Sequence, residues 1–449
     1  MLRMFFRRIR PGQLIVLVFL GIILLGAGLL CLPAAARSGR PTPFLTSLFT
    51  ATSATCVTGL IRVDTGTHWT MFGQVVIVLL IQVGGLGFMT IACLFFFALR
   101  RRIGLRQRMV LAQALGSDTY SGIVSLVRNI LRGTAAVEGV GALILFFRFL
   151  PEFGFGRALW YGVFHSVSAF CNAGFDVLAD VDAGGSLCRY ATDPVVNFTI
   201  MALIIIGGLG FAVWGDIRHH RRFSRLSVYS RLVVIITTVL IFGGAGVFAA
   251  LEWNNPNTIG DLTVPQKLMA ALFQSVTLRT AGFATFDQNA LSDVSKAASD
   301  LLMLVGGSSG STAGGVKTAT VGVILLSAWS TARGRTSVHV MKRRIPRQAV
   351  ENASALFILV LLLSGLGAAF LSIADHVSLE NALYETISAL CTVGLTTGIT
   401  SSLGTASQII LIVLMFFGRL GIMTISVGFM AANRAEERVS YAETKIMIG

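Results

Sequence analysis

Charge is scarce in this 449-residue chain. Asp, Glu, Lys and Arg make up 13% of it, about half the share with which a soluble globular domain covers its surface. Acids are scarcer still, 21 against 36 Lys and Arg. The first deficit argues against the two or three soluble domains that the length would allow. Cys31, Cys56, Cys93, Cys171, Cys188 and Cys391 form no C-x-x-C pair and mostly lie in apolar runs, and the six histidines do not cluster. That argues against a disulfide framework and a zinc site. No Walker motif is present to drive a pump.

What fills the chain instead is apolar: 54% is hydrophobic and the mean hydropathy is +0.77. Leu14–Leu32 and Gln74–Leu99 are of spanning length, since a bilayer core of ~30 Å takes ~20 apolar residues per helix. The chain reads as an all-α, multi-span membrane protein. Its net charge of +15 would suggest nucleic acid in a soluble protein. Here the cations sit in short loops between spans, a topology signal, so no nucleic-acid partner is expected. Arg3, Arg7, Arg8 and Arg10 before an apolar run, with Ala34-Ala35-Ala36 after it, imitate a secretory signal. The run exceeds the ~7–15 residues of a signal core and reads as the first membrane helix.

Four segments share one outline, and internal repeats decide a fold. They run Phe49 to Gly59-Leu60, Phe164 to Gly174-Phe175, Phe273 to Gly282-Phe283 and Tyr384 to Gly394-Leu395. Each opens on an aromatic, continues with small hydroxylated residues, and closes on glycine and a large apolar residue. A second glycine cluster follows each: Gly84-Gly85-Leu86-Gly87, Gly207-Gly208-Leu209-Gly210, Gly306-Gly307-Ser308-Ser309-Gly310 and Gly418-Arg419-Leu420-Gly421. The intervals from first glycine to cluster are 25, 33, 24 and 24 residues. Each unit reads as membrane helix, short half-helix, extended glycine strand, membrane helix. The units are 13–99, 128–217, 226–328 and 348–432, with a tail at 433–449. First helices are expected at 13–33, 130–149, 231–251 and 353–373, and second helices at 72–99, 195–217, 298–328 and 406–431. Half-helices at 43–55, 158–170, 265–278 and 379–390 are too short to cross. The expected architecture is eight transmembrane helices and four re-entrant pore segments, pseudo-fourfold around one central pore.

Charge placement gives an independent reading. The regions joining units carry Arg100, Arg101, Arg102, Arg106 and Arg108, then Arg218, Arg221, Arg222 and Arg225, then Arg333, Arg335, Lys342, Arg343, Arg344 and Arg347. The other side holds Asp64, Asp176, Asp180, Asp182, Asp193, Asp261, Asp287 and Asp293. The positive-inside rule then puts both termini in the cytoplasm and the re-entrant segments outside.

Non-helical backbone at membrane depth survives only where it lines a cavity or is buried in protein. Four such strands about one axis could replace a cation's hydration shell with carbonyl oxygens, and glycine lets the backbone turn without a Cβ clash. The half-helix C-termini, partly negative, would aim at the same axis. A dehydrated monovalent cation fits that design.

The strands Cys56-Val57-Thr58-Gly59, Cys171-Asn172-Ala173-Gly174, Arg279-Thr280-Ala281-Gly282 and Cys391-Thr392-Val393-Gly394 resemble the selectivity filters of the Trk/Ktr/HKT cation-transporter superfamily. The resemblance covers nearly the whole chain and is closest to the KtrB type of bacterial potassium uptake subunit. It implies potassium selectivity where all four filters carry glycine, as here, and potassium uptake across a bacterial cell membrane, with sodium as a further candidate ion or coupling partner. It also implies a homodimer and a cytosolic KtrA-type ring whose Rossmann domains hold ATP or ADP; no cofactor is expected on this chain. The shorter third segment with Arg279 is the one departure.

Ten small residues, Gly306-Gly307-Ser308-Ser309-Gly310-Ser311-Thr312-Ala313-Gly314-Gly315, interrupt the second helix of unit three. Glycine costs up to ~1 kcal/mol per helical position, so a broken helix is expected there, with close helix packing as the other reading. The family places a pore-blocking intramembrane loop at this point, which implies a gate, with Lys317 anchoring its end. Arg419 stands where the other clusters have Gly85, Gly208 and Gly307. A charge at that depth faces a polar interior, and the expectation is that it pairs with carbonyls of the 306–315 loop and holds it shut, or else bonds a neighbouring helix. Glu138 is expected to pair with Arg132 or another polar neighbour. Cys56, Cys171 and Cys391 read as packing residues, the outer aspartates as solvated loop charge, and His165, His219, His220 and His339 lack metal spacing. The basic loops 100–108 and 333–347 are candidate docking surfaces. The competing function is a sodium/potassium secondary transporter with alternating access, a class that often shows inverted two-part repeats; a membrane enzyme would want clustered intramembrane acid–base residues, and none appears.

Overall fold

The computed structural model describes residues 11–87, 123–178, 185–335 and 337–421. The basic stretch 100–108, Cys93, Asp180, Asp182, the N-terminal arginines, residues 422–432 of the fourth unit and the tail 433–449 lie outside the described residues.

The first unit comprises α1 (Pro11–Leu30), the half-helix α2 (Phe44–Cys56) and α3 (Met71–Leu86). The second comprises α4 (Ile123–Phe170), α5 (Pro194–Gly208) and α6 (Phe211–His220). The third comprises α7 (Val228–Glu252), the half-helix α8 (Val264–Thr277), α9 (Asp293–Met303) and α10 (Thr318–Ala332). The fourth comprises α11 (Arg347–Asp375), the half-helix α12 (Leu379–Leu390) and α13 (Thr405–Leu420). A two-residue antiparallel hairpin, β1 (His339–Val340) with β2 (Arg343–Arg344), lies between α10 and α11.

Side chains set these boundaries. Thr70, Asp193, Ser227, Ser292 and Ser378 each accept a bond from a backbone N–H of the helix they precede, and Thr263 and Gln266 form a capping box at α8. Such caps satisfy N–H groups that a helix start leaves unpaired. Three described helices, 127–170, α7 and α11, are long and apolar enough to cross a membrane, and the bent pair α5–α6 passes as a fourth. Large apolar side chains stay exposed on the first helices, among them Leu25, Phe242, Leu366 and Ile373, while Ser and Thr are buried along α2, α8 and α12. That inversion of a soluble protein's pattern suits an apolar surround.

One expected half-helix joins its neighbour directly, and two expected spans need correction. Residues 158–170 lie in the second of two helices that meet within α4 at a kink, Gly154 (φ 70°, ψ 172°), so the expected half-helix is present. Only glycine reaches such a backbone without strain, so Pro151 and Gly154 bend the chain with no intervening loop. The second helices are also not all continuous. The stretch 195–217 bends by 94° at Leu209–Gly210, and 298–328 is interrupted between Met303 and Thr318. The described parts of the second helices are shorter apolar helices; the continuations of 72–99 and 406–431 past Gly87 and Gly421 lie outside the described residues. The cause lies in the glycine clusters. Gly87, Gly210, Gly310 and Gly421, the last glycine of each, all have positive φ (79°, 91°, 70° and 80°), and an α-helix cannot continue through that conformation.

Within units α1 packs on α2, α4 on α5, α7 on α8 and α11 on α12. Between units α3 meets α4, α5 meets α8, α9 meets α12, and α13 meets α2. The contacts therefore close a cycle, unit one back to unit one, and every half-helix lies on its inner side among buried residues.

Candidate cation-binding site

The four glycines that end the half-helix segments come together. A Cβ built on Gly59 would stand 2.5 Å from the Ala173 carbonyl oxygen, one on Gly174 2.8 Å from that of Ala281, and one on Gly282 2.5 Å from that of Val393. A Cβ on Gly394 would meet the Thr58 carbonyl oxygen more closely still. Each glycine thus faces the carbonyl just before the next unit's glycine, and the fourth faces the first. No side chain fits at any corner of this ring.

The backbone has a second regularity that the sequence does not advertise. The glycines have φ of 99°, 68°, 82° and 92°, and the residues two positions earlier, Val57, Asn172, Thr280 and Thr392, also have positive φ (57°, 59°, 65° and 53°). In an ordinary strand successive carbonyls point to opposite sides; inverting φ at alternate residues turns them to one side. For β-branched Val and Thr this conformation is a true outlier and costs about 1–3 kcal/mol each. Three such outliers, with Asn172 in the same conformation at the equivalent place, mark a strain that the surrounding structure holds for a purpose.

What holds them are hydroxyl residues six positions before the glycine, five in the shorter third unit. Ser53 accepts the Thr58 N–H on its carbonyl (2.8 Å) and the Gly59 N–H on Oγ (3.0 Å). Ser388 does the same for Val393 (2.8 Å) and Gly394 (3.0 Å). The Ser168 carbonyl takes the Ala173 N–H (2.8 Å), and the Thr277 carbonyl takes the Ala281 N–H (2.9 Å). Ser168 Oγ and Thr277 Oγ1 donate to the Phe175 and Phe283 carbonyls, at 2.7 and 2.6 Å. With the N–H groups tied back to the half-helix, the carbonyls are left for a ligand. Sequence reasoning missed these four residues as individuals, although the hydroxyl at a constant offset was visible.

Cys56, Cys171 and Cys391 are buried at the half-helix ends. A Cβ on Gly85 would stand 2.5 Å from Cys171 Sγ, and one on Gly315 3.2 Å from Cys391 Cβ, so small side chains here let the second helices approach the strands. The Arg279 side chain turns away from the ring: its Nη2 donates to Thr237 Oγ1 of α7 at 3.3 Å.

The loop 306–315 is laced to its neighbours by backbone. The Ser308 N–H donates to the Gly208 carbonyl (3.0 Å), the Gly306 N–H to that of Val316 (2.8 Å) and the Phe211 N–H to that of Gly310 (2.9 Å). Thr312 Oγ1 donates to the Phe170 carbonyl (2.9 Å), beside the second strand. Gly307, Ser309, Ser311 and Ala313 complete the loop, and Tyr229 Oη donates to the Ser309 carbonyl at 3.2 Å. Lys317 Nζ donates to the carbonyls of Ala313 (2.7 Å) and Gly314 (3.3 Å). Arg419 reaches in from α13. Its Nη1 donates to the Thr312 carbonyl, and its Nη2 to those of Gly84 and Gly85, at 2.5 and 3.2 Å. The guanidinium therefore joins the loop to α3 of unit one as well.

Glu138 takes Gln82 Nε2 on both oxygens at 3.2 Å; the polar neighbour is this amide of α3. Asp64, Asp193 and Asp287 accept N–H bonds at helix or turn starts, and Asp193 also takes Arg148 Nε at 2.5 Å, so these outer acids have structural work.

Residues 24–438 match the TrkH family of cation transport proteins. The chain belongs to this family. Potassium/sodium uptake protein NtpJ of Enterococcus hirae is 40% identical to it over 448 residues, covering 99% of this chain and 98% of that one. Ktr system potassium uptake protein B of Bacillus subtilis is 39% identical, covering 98% and 97%. The crystal structure of the potassium transporter TrkH from Vibrio parahaemolyticus superposes with a TM-score of 0.73 at 17% identity, over 93% of this chain and 84% of that one; this likeness concerns the fold. TrkH-family membership agrees with the apolar, mostly helical architecture, and the chain is a membrane protein.

Proposed function

We propose that this chain is the ion-translocating subunit of a Ktr-type potassium uptake system, a TrkH-family pore with one axis per chain. The observation that carries this reading is the closed ring of Gly59, Gly174, Gly282 and Gly394, each directed at the next strand's carbonyl and each preceded by a left-handed residue two positions earlier. In this reading carbonyls of residues 56–59, 171–174, 279–282 and 391–394 replace the hydration of potassium as it passes. The four half-helix ends add partial negative charge of about half an elementary unit each. Eight spans and four re-entrant segments surround the axis, the second spans being broken at their glycine clusters.

The 306–315 loop, with Lys317 and Arg419, is the gate beneath the ring. Its small residues allow close seating, and its cations disfavour potassium while the loop stays in place. The termini are cytoplasmic in this reading: Arg218, Arg221, Arg222, Arg225 and the basic stretch 333–347 belong to the joins between units, which the positive-inside rule assigns to the cytoplasm. The name of the Bacillus subtilis relative refers to a Ktr system, which supports assembly with further subunits. We take these to be a second copy of this chain and a cytosolic KtrA-type ring holding ATP or ADP.

The test is rescue of a potassium-uptake-deficient bacterium at low external potassium, with the regulatory subunit co-expressed, followed by rubidium and sodium uptake. The parent should rescue growth and prefer rubidium, and Gly59→Ser should raise sodium uptake relative to rubidium. A parent that moves neither potassium nor rubidium overturns the function. An unchanged ratio in Gly59→Ser overturns the ring as the selecting element.

A further inference from the structure

The residue after each opening aromatic is polar: Thr50, His165, Gln274 and Glu385. The four positions are equivalent by repeat, nine residues before the glycine or eight in the third unit, and all are buried. Their chemistry differs. His165 Nδ1 turns back to the Tyr161 carbonyl of its own helix, at 2.7 Å. Gln274 Nε2 reaches Gln288 Oε1, past the third strand, at 2.6 Å. Glu385 is the only acid of the set, and it is 0% exposed.

Glu385 reaches forward to the chain that leaves the fourth strand. Oε1 accepts from Thr396 Oγ1 and Oε2 accepts from Thr400 Oγ1, the latter at 3.0 Å. Thr396 lies two residues beyond Gly394, and its own oxygen is engaged by the Gly398 N–H at 2.8 Å. Each threonine hydroxyl has one proton; the two oxygens lie 3.0 Å apart, so the carboxylate and both hydroxyls form one connected cluster. Gly398 has φ of 90°, so the turn 395–400 is folded tightly over this one group. Among the described residues no Lys or Arg forms an ion pair with Glu385, although a buried carboxylate without a counter-charge is costly. Two hydroxyls and a cation held in the neighbouring strand would together offset that cost.

We propose that Glu385 is a positioning residue for ion selection: through Thr396 and Thr400 it sets the outward end of the fourth strand and thereby the size of the outermost cation cage. The inference rests on the pore reading above. Potassium differs from sodium only in radius, so discrimination fails when one corner can close inward. At the fourth corner the restraint is a buried acid bonded to the exit turn; the corresponding acid is lacking at the other three.

The experiment measures the sodium-to-rubidium uptake ratio of the full chain in proteoliposomes, for Glu385→Ala, Thr396→Val/Thr400→Val, the triple combination, and Glu385→Gln, with Gly59→Ser alongside. Glu385→Ala should raise the ratio roughly fivefold or more, the loss of two hydrogen bonds of restraint at about 0.5 kcal/mol each. The threonine pair should match it, the triple should exceed neither, because groups acting as one unit are not additive, and Glu385→Gln should fall between. If Glu385→Ala does not fold, Thr400→Val alone, which removes one hydroxyl, carries the test and should raise the ratio about twofold. A purely structural Glu385 would lower the amount of folded protein and leave every ratio at the parental value. That outcome, with Gly59→Ser still altering the ratio, overturns this inference and spares the pore reading; unaltered ratios throughout, Gly59→Ser included, overturn both.

Discussion

Removing the Arg419 guanidinium should open the pore. Three donor contacts hold it: Nη1 to the Thr312 carbonyl, and Nη2 to those of Gly84 and Gly85. The last two secure the side chain to α3 and survive any movement of the loop. Only the bond to Thr312 must break when residues 306–315 leave the axis. A hydrogen bond to a charged group contributes about 1.5–3 kcal/mol, so Arg419→Gln should shift the closed-to-open equilibrium by roughly 10- to 150-fold. The expected readout is rubidium uptake into proteoliposomes without any regulatory subunit, where the parent is mostly shut and the variant leaks by at least the lower factor. Arg419→Lys keeps the charge and loses the fork that lets one group bond three carbonyls; it should lie between the two. If Arg419→Gln protein is folded, still prefers rubidium over sodium, and leaks no more than about twice the parent, the bond to Thr312 is no latch, and the guanidinium is a brace between α13 and α3.

Two further outcomes follow from the same contacts. Lys317→Met removes donors to Ala313 and Gly314 that lie wholly inside the loop; basal rubidium leak should rise severalfold, less than for Arg419→Gln, in the same vesicle assay. Gln74→Leu strands the Trp160 Nε1 donor (2.7 Å) and takes Nε2 away from the carbonyls of Thr65 and Trp69, the latter keeping Arg37 Nε at 3.3 Å. It should cost about 1–3 kcal/mol, seen as a lower melting temperature in detergent, with the sodium-to-rubidium ratio unchanged because this network lies in the outer packing.

Much of the site was readable in one dimension because it is written four times. In three of the four units the glycine ending the segment lies 24 or 25 residues before the cluster behind it, and a Cβ at any of the four would collide with a neighbouring carbonyl. The left-handed residues were not readable: Val57, Asn172, Thr280 and Thr392 include β-branched types that favour the opposite conformation. Their strain is sustained by Ser53, Ser168, Thr277 and Ser388 and by the packed strands around them. The break of α5–α6 was equally hidden, since 195–217 is apolar apart from Asn197, Thr199 and Asp216 and carries at its centre the same Gly-Gly-Leu-Gly run that α3 accommodates up to Leu86.

Local composition by itself determined that the chain lives in an apolar medium, that it is built of four like units, and that each has one segment too short to cross. Those are properties of hydropathy, period and glycine placement, which act over a few turns of chain. Tertiary structure alone decided which carbonyl each glycine faces, that Arg419 bonds both the loop of unit three and the helix of unit one, and that Glu385 closes over the turn beyond its own strand. These pairings join residues up to 336 positions apart, Gly394 with Thr58. No local rule specifies such pairings, because the energy that selects them appears only when the four units pack into one cycle.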